Sequence, residues 1–315
     1  LLPVVLLAPC LTSAQSADAR ADAALLIRVQ QAATRLNYAG SFVYQQGSSM
    51  QSSRITHLVD SSGEYEKLEA LDGLPQEIIR KNDELHCYVP SNKTLLIEKR
   101  LGREHFPGLF NGEPVEIIKQ YNLIKGENER VAGLDCQLVG LVPRDLSRYG
   151  YRLCIDLGSG LLLRAQTISG TGEVIEQIAF TQIKIGGNID RNLLKPSFQM
   201  RDGWRVVRDD AGRKSGSLPQ WQVERLPAGF RRTNEFVRPV GRHPDVGQIV
   251  FSDGLASLSV FIEALTEGNT PPEGVSAQGA VSVATRRLGD HWITVVGEVP
   301  ATTVRQVAAS IQLRK

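Results

Sequence analysis

The spacing of apolar and polar residues changes several times along this chain. Residues 1–11 (LLPVVLLAPCL) carry no charge, and small polar residues follow from Thr12 to Ser16. The run is about half the length that crosses a bilayer. It reads as the apolar core of a signal peptide spanning residues 1–16, with Ala14 and Ser16 placed for cleavage after Ser16. A buried N-terminal element and a lipoprotein anchor at Cys10 are the alternatives; Pro9 stands where the anchor needs a small residue. From Asp18 to Leu36, apolar residues at Leu25, Leu26, Val29, Ala33 and Leu36 predict a helix with one buried face.

After Tyr38 come short segments rich in β-branched and aromatic residues: YAGSFVYQQ, SSRITHLVD, GEYEKLEAL, PQEIIRKND, ELHCYVP, KTLLIEK, VEIIKQ, YNLIKGE, RVAGLDCQLVGLV, YGYRLCIDLG, LLLRAQTIS and EVIEQIAFTQIKI. Gly, Pro, Asn, Asp and Ser punctuate them as in successive hairpins. Roughly a dozen antiparallel strands with one long helix predict a strongly curved sheet or an open barrel.

Between Ile189 and Gln220 no apolar period persists, and residues 196–219 read as a partly ordered, basic linker. From Arg191 to Arg242 there are twelve Lys or Arg against five Asp or Glu. The chain therefore divides into a domain over 17–195 and a smaller one over 220–315. The second opens with WQVERLPAGF and has strands in GQIVFSDG, LASLSVFIEAL, AVSVATRRL and HWITVVGEV. Leu258, Val260 and Ile262 alternate with Ser257, Ser259 and Phe261, so they point to opposite faces. A last helix from about Pro300 places Val304, Val307, Ala308 and Ile311 on one side. The fold class is α+β, mainly β.

A length of 315 residues suits two domains, and a net charge of +2 gives no global field favouring nucleic acid. Beyond the leader lie Cys87, Cys136 and Cys154. Cys136 and Cys154 sit on two arms joined around Pro143-Arg144-Asp145, where a disulfide closing seventeen residues adds about 3 kcal/mol. Three reduced, buried thiols are the other reading. No zinc-ligand spacing, GxSxG elbow, phosphate loop or CxxC is present. His57, His86, His105, His243 and His291 are scattered and read as surface or satisfied core. Glu64, Glu66, Glu69, Asp72 and Glu77 read as a solvated acidic face. No catalytic set, metal site or cofactor is expected.

A bent antiparallel sheet offers a concave apolar surface for a hydrophobic ligand. Phe42, Tyr44, Ile55, Leu58 and Leu68 are the candidate lining, with ordinary core as the alternative. Arg231 and Arg232, in the basic stretch, are candidate contacts for an acidic partner or an anionic headgroup.

Three segments of the N-terminal half, YAGSFVYQ (38–45), EYEKLEALDGLPQEIIR (64–80) and YGYRLCIDLGSGLLLRA (149–165), resemble the RseB or MucB family, periplasmic regulators of the envelope-stress sigma factor. LPAGF (226–230), FSDGLASLSVFIE (251–263) and TVVGEVPATTV (294–304) extend the resemblance over the second half. It implies an N-terminal domain like the periplasmic lipoprotein carriers (LolA-like), an unclosed β-barrel with helices across its mouth, and a smaller C-terminal domain. It also implies a protein that binds the periplasmic part of a membrane-spanning anti-sigma factor and shields it from proteolysis. Lipid or lipopolysaccharide would release that partner, and the protein would form homodimers. A lipid or lipoprotein carrier is the alternative function.

Overall fold

The computed structural model describes residues 12–99, 106–110, 112–200, 202–208, 218, 220–240, 243–265 and 272–313. The apolar run 1–11 lies outside them. Helix α1 (Thr12–Arg35) begins six residues before the predicted start, so the expected cleavage point after Ser16 falls in its first turns. Leu26, Val29, Ala32 and Ala33 form its buried stripe.

The first eleven strands are β1 (Tyr38–Gln46), β2 (Ser49–Asp60), β3 (Gly63–Ala70), β4 (Glu77–Lys81), β5 (Glu84–Val89), β6 (Thr94–Lys99), β7 (Tyr121–Val131), β8 (Leu134–Pro143), β9 (Gly150–Asp156), β10 (Leu162–Ile168) and β11 (Val174–Ile185). With β12 (Arg205–Arg208) they make one sheet in the order β12-β6-β5-β4-β3-β2-β1-β11-β10-β9-β8-β7. Among the described residues its two edges do not pair, so the sheet forms an open barrel. Arg164 on β10 forms an ion pair with Glu129 on β7 across two intervening strands, which shows how sharply this part curls. The concave side is filled by α1, by α2 (Pro114–Gln120) and by Phe106 and Phe110, all packed into one core.

Three sequence readings of this domain change. VEIIKQ is the helix α2 and not a strand. Pro114 occupies the first turn, where its fixed φ suits a helix. Glu116 and Lys119 pair at 2.7 Å one turn apart, and Ile117 is fully buried. RVAGLDCQLVGLV is split by a two-residue turn at Ala132 and Gly133, with φ of 50° and 83°; such left-handed corners match the twist of a hairpin. The acidic face is not simply solvated. Glu77 is buried and paired with Lys67 at 3.2 Å, and Glu64 contacts both Arg80 and the buried His57 ring.

Cys136 on β8 and Cys154 on β9 are joined in a disulfide with a Cα–Cα distance of 5.4 Å, whereas Cys87 has no bridge. The stretch read as linker is tied to the barrel at its start. Lys67 donates to the Lys195 carbonyl and to Ser197 Oγ, both at 2.9 Å. Phe198 and Trp204 pack on Tyr88, Leu95 and Ile97, and β12 then pairs in parallel with β6.

The C-terminal domain contains β13 (Trp221–Val223), β14 (Arg231–Val240), β15 (His243–Ser252), β16 (Ser257–Ala264), β17 (Gly274–Gln278), β18 (Val281–Leu288), β19 (His291–Gly297), α3 (Ala301–Ala309) and β20 (Ile311–Leu313). Its main sheet runs β14-β15-β16-β19-β18-β17, with β13 and β20 as a separate pair. The sequence did not mark β14 as a strand. Val304, Val307 and Ala308 pack from α3 against this sheet as expected. Ile311 instead lies beyond the helix in β20, because the chain leaves the helix at Ser310.

Candidate functional site

The alternation in β16 gives the C-terminal sheet two unlike faces. Leu258, Val260 and Ile262 turn into the core with α3, leaving Ser257 and Ser259 on the opposite face. On β15, Ile249 and Phe251 enter the same core, while Gln248 and Val250 share the side of the two serines. That second face looks across a cleft of about 590 Å³ at the barrel, a volume in the range of ordinary ligand sites.

On the C-terminal wall, Arg238 Nε donates to Gln248 Oε1 at 2.9 Å, and Gln248 Nε2 donates to Ser259 Oγ at 3.2 Å. The Arg238 guanidinium lies 5.7 Å from the centre of the Phe236 ring. The barrel wall presents Tyr151, Thr167 and Glu176 from β9, β10 and β11, with Glu98 and Lys99 from the end of β6. Glu176 accepts from the Tyr44 hydroxyl at 2.7 Å and from Thr167 Oγ1 at 3.2 Å. Burial first, and the Glu176 carboxylate second, push the Tyr44 phenol far above its ordinary range, so it stays a neutral donor. Burial does the same to Tyr151. Leu109, Val250, Leu255, Val281 and Val296 supply the apolar share. The walls thus offer fixed hydrogen-bonding groups among apolar patches, as suits an extended polypeptide. Among the described residues no group of His, Cys, Asp and Glu is arranged to hold a metal ion.

The five candidate lining residues do not form one open groove. Phe42 is buried, with its ring 5.6 Å from Phe106 and 6.0 Å from Phe180. Ile55 belongs to the same packed core, Leu68 packs against it, and Leu58 is buried on the same strand as Ile55. Tyr44 stands apart, in the Glu176 network beside the cleft. Arg231 is exposed and bridges the domains by an ion pair to Glu116 on α2. Arg232 is paired within its own domain with Glu235 at 2.7 Å and lies over the Phe251 ring. The cleft was missed in the sequence because its walls come from strands far apart in the chain. The one local signal was the serine alternation of β16.

The MucB/RseB N-terminal domain profile matches residues 21–198, and the MucB/RseB C-terminal domain profile matches residues 215–312. The chain is 32% identical to the sigma factor AlgU regulatory protein MucB of Pseudomonas aeruginosa, over 91% of this chain and 89% of that one. It is 25% identical to the sigma-E factor regulatory protein RseB of Escherichia coli K12, over 96% and 94% respectively. A crystal structure of MucB in complex with MucA(peri) superposes with a TM-score of 0.75 at 29% identity, covering 93% of this chain and 99% of that chain.

Proposed function

This chain belongs to the MucB/RseB family of non-enzymatic regulatory binding proteins, and from that premise we propose that it binds the periplasmic domain of an anti-sigma factor in the cleft between its two domains. The observation that carries this reading is the likeness to a MucA-bound relative over nearly the whole of both chains. The cleft, with its fixed donors, acceptors and apolar patches, supplies a surface of suitable chemistry. Residence in the periplasm follows from such a partner, after removal of residues 1–16. The domain limits of this reading are 17–195 and 220–315, with 196–219 between them. Calorimetric titration with the anti-sigma factor's periplasmic domain tests it. The expected result is binding at micromolar concentration or tighter, weakened roughly tenfold by Ser259→Trp, which fills the cleft, with an unchanged urea midpoint. A wild-type chain that does not bind at micromolar concentration overturns the reading.

Shielding of the partner from proteolysis and its release by lipid or lipopolysaccharide extend the same proposal. Phe106 and Phe110 fill the barrel core while Leu109, between them, lines the cleft. A lipid entering beside Phe42 would displace a segment that borders the partner's site. Lipopolysaccharide added to the preformed complex should free the partner to a protease, and no release would remove this part. A homodimer is the proposed assembly, checked by light scattering of the purified chain.

A further inference from the structure

Three stretches with no chemistry of their own, SRYG (147–150), LPAGF (226–230) and FSDG (251–254), meet at one side chain. The Arg148 guanidinium is wholly buried between the domains and forms an ion pair with the equally buried Asp253. It also holds Asp145 through two nitrogens at 3.0 and 3.1 Å and donates to the Ala228 carbonyl. The rings of Tyr121 and Phe230 flank it at 5.8 and 5.3 Å. Replacing a buried ion pair by apolar groups is often neutral for stability, so such a pair is better explained by the geometry it imposes. The planar fork of arginine suits several acceptors at once.

Asp253 passes that geometry on. Its Oδ1 accepts the amides of Leu255 at 2.9 Å and Ala256 at 2.7 Å. Leu255 then packs against the barrel core and lines the cleft. Beside it, the Gly112 amide donates to the Gly254 carbonyl at 3.0 Å, at a backbone approach so close that a Cβ on Gly112 would lie 2.2 Å from Gly254 Cα. Helix α3 joins the same place through Thr303 Oγ1, which donates to the Ser147 carbonyl at 2.9 Å.

We propose that Arg148 is a positioning residue: from outside the cleft it pins the 252–256 turn into the barrel domain and so sets the separation of the two walls. The proposal rests on the cleft being the partner's site. The test is the double variant Arg148→Met/Asp253→Asn. It removes both buried charges together, keeps an acceptor for the turn amides, and leaves Asp145 one-third exposed to solvent. The expected variant melts close to the wild type, but its small-angle scattering shows a larger, broader distance distribution, and its affinity for the anti-sigma periplasmic domain falls at least roughly tenfold. Wild-type scattering or wild-type affinity in the folded variant overturns the proposal. If the double variant does not fold, Arg148→Lys, which keeps the charge but loses the fork, should broaden the scattering; an unchanged profile again overturns it. Should the wild-type chain fail to bind the partner at all, the functional reading falls, while the scattering comparison still decides whether Arg148 sets the spacing.

Discussion

Lys67 on β3 and Glu77 on β4 meet at 3.2 Å with both side chains almost completely withdrawn from solvent. The ammonium group also donates to the Lys195 carbonyl and to Ser197 Oγ, while Glu77 accepts the Ser197 amide at 2.9 Å. One buried pair therefore fixes the strand and the first residues beyond the barrel. Lys67→Met should cost about 3–5 kcal/mol, because it strands a buried carboxylate. Lys67→Met/Glu77→Gln should recover much of that loss. Urea denaturation of the three proteins checks the order, and equal destabilisation by the single and double variants would contradict it.

Replacing Cys136 and Cys154 together by Ser should lower stability by about 3 kcal/mol, since the bridge restricts the unfolded chain. Thiol titration under denaturant checks the pairing first. A chain lacking residues 1–16 should show one reactive thiol, Cys87, and three would be incompatible with the bridge.

Phe106 packs at tilted angles against Phe42 and Phe180, its ring centre 5.6 Å from that of Phe42 and 4.9 Å from that of Phe180. Phe106→Ala should destabilise the barrel by about 3–5 kcal/mol and open an apolar hollow beside Phe42. Increased fluorescence of an added anilinonaphthalene dye, with circular dichroism unchanged, is the expected sign. A variant that takes up no more dye than wild type would mean that the hollow collapses.

Arg231 and Arg232 should behave differently despite being neighbours. Arg231→Ala breaks an exposed ion pair to Glu116 and should change stability little, with an effect that fades as salt rises. Arg232→Ala removes a contact inside the domain, to Glu235, the Trp221 carbonyl and the Phe251 ring. Its effect should persist at high salt. Melting curves at low and high ionic strength separate the two.

Elements with a sustained period were legible in the sequence. The face of α1, the hairpin arms carrying Cys136 and Cys154, and the alternation of β16 each follow from short-range spacing. VEIIKQ was misread because Ile117 and Ile118 favour strands in isolation, while Pro114 and the packing of Ile117 decide for a helix. The strand at 205–208 was invisible because its residues are exposed and it exists only through pairing with β6. The cleft escaped for a similar reason: Ser257 and Ser259 announce a polar face, but what stands opposite depends on Arg148 reaching Asp253, 105 residues away. Composition alone makes Phe42 a candidate for a ligand-lining surface, but the rings that bury it, Phe106 and Phe180, lie far from it in the chain.

The parallel pairing of β12 with β6 has a practical consequence for anyone cutting this molecule into parts. A fragment ending at residue 195 would lose Phe198 and Trp204 and leave the main-chain groups of β6 bare, an open template for association with other chains. Extending the fragment through Arg208 keeps that border hemmed, so the described residues from Phe198 to Arg208 act as the selvedge of the first domain.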